Sequence, residues 1–107
     1  MQLKKGLLEI VILLQIKKRA MYGYELTICM KDIPFLNLTN GAIYPILKRL
    51  EKEKWIISYW NESSEGPRRK YYQITMEGER IIAERWEIYN SMFKTIESIV
   101  MEEKSKW

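Results

Sequence analysis

The chain has 107 residues, 47% hydrophobic and 30% charged, with a formal net charge of +4. That balance excludes a disordered chain and fits one domain with a small core. The lack of histidine and the single cysteine, Cys29, exclude the usual zinc sites, an internal disulfide and histidine acid–base chemistry. No metal or cofactor is therefore expected.

The first helix is predicted from about Leu3 to Lys17. Leu3, Leu7, Ile10, Val11 and Leu14 form one stripe, and Leu8, Ile12 and Leu13 make the helix apolar nearly all round. A monomer this small could hardly cover both sides. The run from Leu7 to Ile16 is too short to span a bilayer, and Glu9 and Gln15 interrupt it. Together with one unpaired cysteine, this reads as a soluble, cytoplasmic chain with no membrane partner.

A basic turn, Lys17 to Ala20, leads to a second helix from about Tyr22 to Lys31, with Leu26, Cys29 and Met30 facing inward. Gly23 costs roughly 1 kcal/mol in a helix interior, so it belongs in the first turn or permits a close backbone approach. Pro34 ends the segment, and DIPFLNLT is the turn of a helix-turn-helix.

The stretch from Thr39 to Ile56 follows, opening on the small polar residues Asn37, Thr39, Asn40 and Gly41. Thr39 suits an N-cap. Ile43, Ile46 or Leu47, and Leu50 form the apolar stripe; Tyr44, Lys48, Arg49 and Lys52 form a polar opposite face. Such a helix suits the DNA major groove. Pro45 implies a bend or an irregular first turn between Gly41 and Pro45. Next, Trp55–Trp60 and Tyr71–Thr75 are rich in β-formers and flank the turn composition of Asn61–Gly66 and the basic Arg68, Arg69 and Lys70. A helix followed by a basic hairpin is a winged helix, whose wing holds phosphate or reaches a minor groove. Alternation places either Tyr71 or Tyr72 in the core.

Thr75 caps a last helix that runs to about Lys104. Ile82, Trp86, Tyr89, Phe93, Ile96 and Val100 follow the 4-3-4-3-4 spacing of a coiled-coil seam. At 1.5 Å per residue this helix is about 43 Å long, so its distal half must project, and a second copy is the simplest cover for its apolar face. The expected fold is mainly α with a small β-hairpin. Residues 1–75 form a winged helix-turn-helix DNA-binding domain, and residues 76–107 a dimerisation helix that is one compact unit with the first helix. The expected dimer contacts are Leu7, Val11, Ile82, Trp86, Tyr89, Phe93, Ile96 and Val100.

The tracts YGYEL, AIYPILKRLEKEKWI, GPRRKYYQIT and ITMEG together resemble the PadR family of transcriptional regulators, in its short form with a single C-terminal helix. The resemblance spans the chain. It implies a homodimeric winged helix-turn-helix repressor that binds a pseudo-palindromic operator in double-stranded DNA. Some members respond to small phenolic or cationic aromatic compounds. Carried over by position, Tyr44, Lys48 and Arg49 fall in the recognition helix, and Arg68, Arg69 and Lys70 in the wing. Thr39-Asn40 replaces the family's frequent Ser-Glu, which implies a different sequence preference. Some drug-responsive members have tryptophan where this chain has Tyr89; here the tryptophan is Trp86.

The expected DNA contacts are thus Thr39, Asn40 and Tyr44 at base edges, with Lys48, Arg49, Arg68, Arg69 and Lys70. Lys17, Lys18 and Arg19 add phosphate neutralisation, and Arg49 has an alternative partner in Glu53 at i+4. Trp86, Tyr89 and Phe93 form a candidate site for a small aromatic effector at the dimer axis. An alternative is a protein-interaction module whose apolar last helix binds a different protein. An enzyme is the weakest class: Glu9, Glu25, Glu51 and Glu53 look solvated, with no paired acid–base set.

Overall fold

The computed structural model describes residues 2–36, 38, 39, 41–63 and 66–107. The elements are α1 (Gln2–Lys18), β1 (Met21–Tyr22), α2 (Gly23–Met30), α3 (Ile43–Lys52), β2 (Ile56–Ser63), β3 (Gly66–Ile74) and α4 (Met76–Lys104). The mainly helical fold with a basic hairpin and a long final helix agrees with the sequence reading. Beyond the hairpin there is a third strand: β1 pairs antiparallel with β3, Met21 opposite Tyr72 and Tyr22 opposite Tyr71, so the sheet order is β1-β3-β2. The helix start expected at Tyr22 is therefore one residue later. There Glu25 Oε1 accepts from the Tyr22 backbone N–H at 3.4 Å, serving one of the donors that every helix start leaves free.

In α1 the covered face shares only Ile10 with the expected stripe. Glu9, Ile12, Leu13 and Ile16 are buried, at helical spacing, while Leu3, Leu7 and Val11 are half-buried and Leu14 is exposed. Leu26 and Met30 of α2 point inward as expected, but Cys29 lies on the exposed side. The remaining core comes from Leu36, from Met21 of β1, from Ile43, Leu47 and Leu50 of α3, from Ile56 and Tyr72, and from Ile81 and Ile82 of α4.

The helix α3 begins later than the sequence suggests. Thr39 does not cap it; its carbonyl accepts from the Ala42 N–H at 3.2 Å, and Gly41 turns the chain with φ +82°. The left-handed region suits glycine, which has no Cβ to clash. Pro45 then falls in the first helical turn, where a backbone N–H would have no intrahelical partner, so the expected cost of a proline disappears. At the other end the Lys54 N–H donates to the Glu51 carbonyl and the Trp55 N–H to the Leu50 carbonyl, with Lys54 at φ 65°. This is a Schellman turn with lysine in glycine's usual place.

The register of β2 on β3 runs from Ile56 opposite Ile74 to Ser63 opposite Gly66, with an irregularity between Asn61 and Ser63. Thr75 caps α4 as expected, its hydroxyl accepting from the Gly78 N–H at 3.0 Å. The helix continues past the core: after Ile82 no residue of α4 is buried, and the molecule measures 61 × 27 × 22 Å.

Candidate nucleic-acid interface

The basic helix α3 buries one face and presents the other. Tyr44, Pro45, Lys48 and Lys52 are exposed, opposite the buried Ile43, Leu47 and Leu50. Tyr44 lies across the start of α2: a Cβ on Gly23 would collide with the tyrosine ring, so only glycine permits this approach. Half of Tyr44 remains open to solvent, at 47% exposure. Thr39 is exposed beside the helix start, whereas Asn40 lies outside the described residues.

Alternation along β3 sends Arg68 and Arg69 to opposite faces. The Arg68 guanidinium sits 4.8 Å from the Trp60 ring centroid, and that of Arg69 sits 4.6 Å from the Tyr22 ring. Tyr22 meets Tyr71 edge-on at 5.5 Å, and Tyr71 stacks on Tyr59 at 5.9 Å. Cation–π contacts thus preorient two long side chains without neutralising their charge. Lys70 is more constrained: its ammonium lies 3.8 Å from Glu51 and 5.8 Å from the Tyr72 ring. Glu51 also accepts from the Ser58 hydroxyl, so the end of α3 is tied to both strands of the wing. Tyr72 is the buried member of the tyrosine pair. Burial, reinforced by the nearby Glu51 and Tyr44, pushes its phenol above the ordinary tyrosine pKa.

A cleft of about 310 Å³ between the starts of α2 and α3 and the wing brings Tyr44, Arg69 and Lys70 together with Tyr22 and Tyr24. Tyr22 of β1 and Tyr24 of α2 were not among the expected site residues. The signal was present in YGYEL, but it read as a helix start rather than as a strand pairing with the wing.

Several expected roles change. Arg49 does not pair with Glu53: its Nη1 lies 2.9 Å from Glu9 Oε2 and its guanidinium lies 5.6 Å from the Trp55 ring. Its guanidinium is thus turned toward Glu9 of α1 and Trp55 while its side chain stays partly exposed. Glu9 is not solvated but 2% exposed. Of the basic turn, Lys17 pairs with Glu79 at 3.3 Å and Arg19 with Glu25 at 2.8 Å. Both pairs are solvent-exposed and weak.

Of the expected dimer contacts, Ile82 of α4 is buried within its own chain, while Leu7 and Val11 of α1 and Tyr89 and Val100 of α4 are half-buried. Trp86, Phe93 and Ile96 are exposed, Trp86 at 59%. Trp86 lines an apolar groove of about 430 Å³ with Ile10, Leu14, Ile82 and Ala83. Tyr89 lines a different cavity and packs on Gly6, with its ring centroid 6.5 Å from that of Phe93. The three aromatics of the expected effector site therefore divide between two places. Among the described residues no helix is long and apolar enough to cross a membrane.

A helix-turn-helix with a three-stranded wing and a projecting final helix defines a winged-helix protein. The model of the transcriptional regulator PadR-like family matches residues 12–84, and the chain belongs to that family. It is similar to an uncharacterized protein of Lysinibacillus sphaericus, 33% identical over 82 residues that make up 75% of each chain. Among solved structures it is similar to a Streptococcus transcriptional regulator, with a TM-score of 0.83 and 36% identity over 92% of this chain and 97% of that one. A PadR-like transcriptional regulator from Bacillus cereus has a TM-score of 0.80 and 37% identity, covering 94% and 97%.

Proposed function

We propose that the protein is a sequence-specific repressor that binds a pseudo-palindromic operator as a homodimer in the cytoplasm. Residues 1–75 form the DNA-binding unit, and residues 76–107 form the dimerisation helix, joined by α1. The observation that carries this reading is the common placement of Tyr44 of α3 and of Arg69 and Lys70 of the wing around one cleft, with Lys48 exposed one turn further along α3. The wing arginines hold phosphate, while Tyr44 and Thr39 face base edges at the start of the recognition helix. Arg49 supports α3 from behind and makes no DNA contact in this reading.

Replacing Arg68 and Arg69 together by alanine weakens binding to every duplex and flattens the salt dependence, because phosphate contacts carry little sequence information. Tyr44→Phe changes the preference among operators, by roughly 1–3 kcal/mol per lost base contact. Fluorescence anisotropy on operator and unrelated duplexes over a salt series decides it. A wild-type protein that binds no duplex at low salt sinks the reading.

An effector role attaches to Trp86, whose exposed indole closes the apolar groove against α1. A planar aromatic compound seated there, between subunits, would shift the dimer geometry and release the operator. Tryptophan fluorescence in wild type and Trp86→Ala, titrated with planar aromatic cations and phenolic acids, tests this. Equal responses in the two proteins remove Trp86 from the site. The exposed apolar surface of distal α4 also suits a protein-interaction module binding a different protein; a monomeric wild type in sedimentation favours that second reading.

A further inference from the structure

One carboxylate joins three helices behind the recognition face. Glu9 of α1 is almost fully buried, and its two oxygens are used by different elements. Oε1 accepts from Arg85 Nη1 of α4 at 2.9 Å, and the same nitrogen reaches the Gly6 carbonyl at 3.5 Å. Oε2 lies 2.9 Å from Arg49 Nη1 of α3, close enough for strong attraction but poorly directed as a hydrogen bond. The two guanidiniums also share Trp55, lying 5.6 Å and 5.0 Å from its ring centroid. Trp55 closes the Schellman turn that ends α3, and its carbonyl accepts from the backbone N–H of Thr75, the cap of α4, whose hydroxyl is shared between the Lys54 carbonyl at 2.7 Å and the Trp55 carbonyl at 3.0 Å.

The exit of α3 and the entry of α4 are therefore tied twice, once through the Trp55 backbone and once through Glu9. A buried ion pair adds little stability over a well-packed apolar contact, whereas it does define which groups face each other. Two cations arriving from different helices on one fixed carboxylate restrict the angle between those helices. We infer that Glu9 and Arg85 are positioning residues that set the orientation of the recognition helix α3 relative to α4. The consequence for DNA rests on the proposed function: two recognition helices in a dimer must match half-sites about 34 Å apart, so a loose angle costs specific binding first. The positioning itself does not depend on that reading.

The test places nitroxide labels on cysteines at the exposed positions Lys52 and Lys94, in a Cys29→Ser background, with labelled chain diluted in excess unlabelled chain so that only distances within one chain are read. Wild type is expected to give one narrow distance distribution. Glu9→Gln and Arg85→Met are expected to broaden it at least about twofold while keeping a cooperative melt and the wild-type sedimentation, a change that loss of stability alone would not produce. Arg85→Lys, which keeps the charge but loses the guanidinium fork, serves if either variant fails to fold, with a smaller broadening expected. In anisotropy the discrimination between preferred and unrelated duplexes should fall about tenfold at constant non-specific affinity. Unchanged widths in the folded variants, or a broad distribution in wild type, overturn the inference. A wild type with no preference among duplexes counts against the DNA reading alone, and the distances still decide the positioning.

Discussion

The two halves of α4 carry the same apolar rhythm and meet different fates. In the proximal half Ile81 and Ile82 are each 8% exposed, packed into the core shared with α1, α3 and the sheet. In the distal half Phe93, Ile96 and Ile99 stand in solvent, with Ile96 at 54%. Helical periodicity thus reports that a face needs cover but not what covers it. Within one chain the head suffices for about two turns of the helix. In our proposal a second copy covers the rest, together with the half-buried Leu7 and Val11 of α1.

The largest effect should come from breaking the distal half. Burying one large apolar side chain stabilises by roughly 1.5–3 kcal/mol, so Phe93→Lys with Ile96→Lys should weaken self-association by on the order of 100-fold or more. Sedimentation should show a monomer for the variant and a dimer for wild type at micromolar concentration, while the far-UV spectrum and the melting of the head persist. Loss of the head fold in this variant would mean that the distal half is not separable from the core.

The proximal half sharpens the contrast. Ile82→Ala should cost about 2–4 kcal/mol in urea unfolding, because it opens a cavity in the shared core. Ile96→Ala, measured where the chain is monomeric, should stay within about 0.5 kcal/mol of wild type. Equal losses at the two positions would show that the distal half packs on its own chain.

A smaller effect, confined to the head, concerns alkaline pH. The folded-state pKa of the buried Tyr72 is raised, chiefly by burial and then by Glu51 and Tyr44. The folded state therefore holds the phenolic proton more tightly than the unfolded chain does. Its contribution to stability is fully present below the unfolded value near 10 and is lost as pH rises through the folded pKa. Tyr72→Phe should flatten the alkaline decline in urea-unfolding stability that sets in as pH approaches the unfolded tyrosine value of about 10, whereas Phe93→Lys with Ile96→Lys should leave it in place. An unchanged decline in Tyr72→Phe would assign it to other tyrosines.

Local pattern carried much of this molecule. The extent of α4 to Lys104, the Thr75 cap, the basic hairpin and the alternation that buries one of Tyr71 and Tyr72 are all short-range features, set by neighbours a few residues apart. The exposed Tyr44 and Lys48 opposite Ile43, Leu47 and Leu50 also follow from a 3.6-residue period alone. Tertiary structure decided the remainder. Strand β1 has only two residues, too few for a periodic signal, and exists because Met21 and Tyr22 find partners on β3. The face of α1 that faces inward was ambiguous because the helix is apolar nearly all round, and only the packing of α2, α3 and α4 selected Ile12, Leu13 and Ile16. Glu9 looked solvated because its cations lie 40 and 76 residues away, at Arg49 and Arg85. A charge reveals no distant partner through its own neighbours. Whether it is buried is settled only when the helices carrying its partners converge.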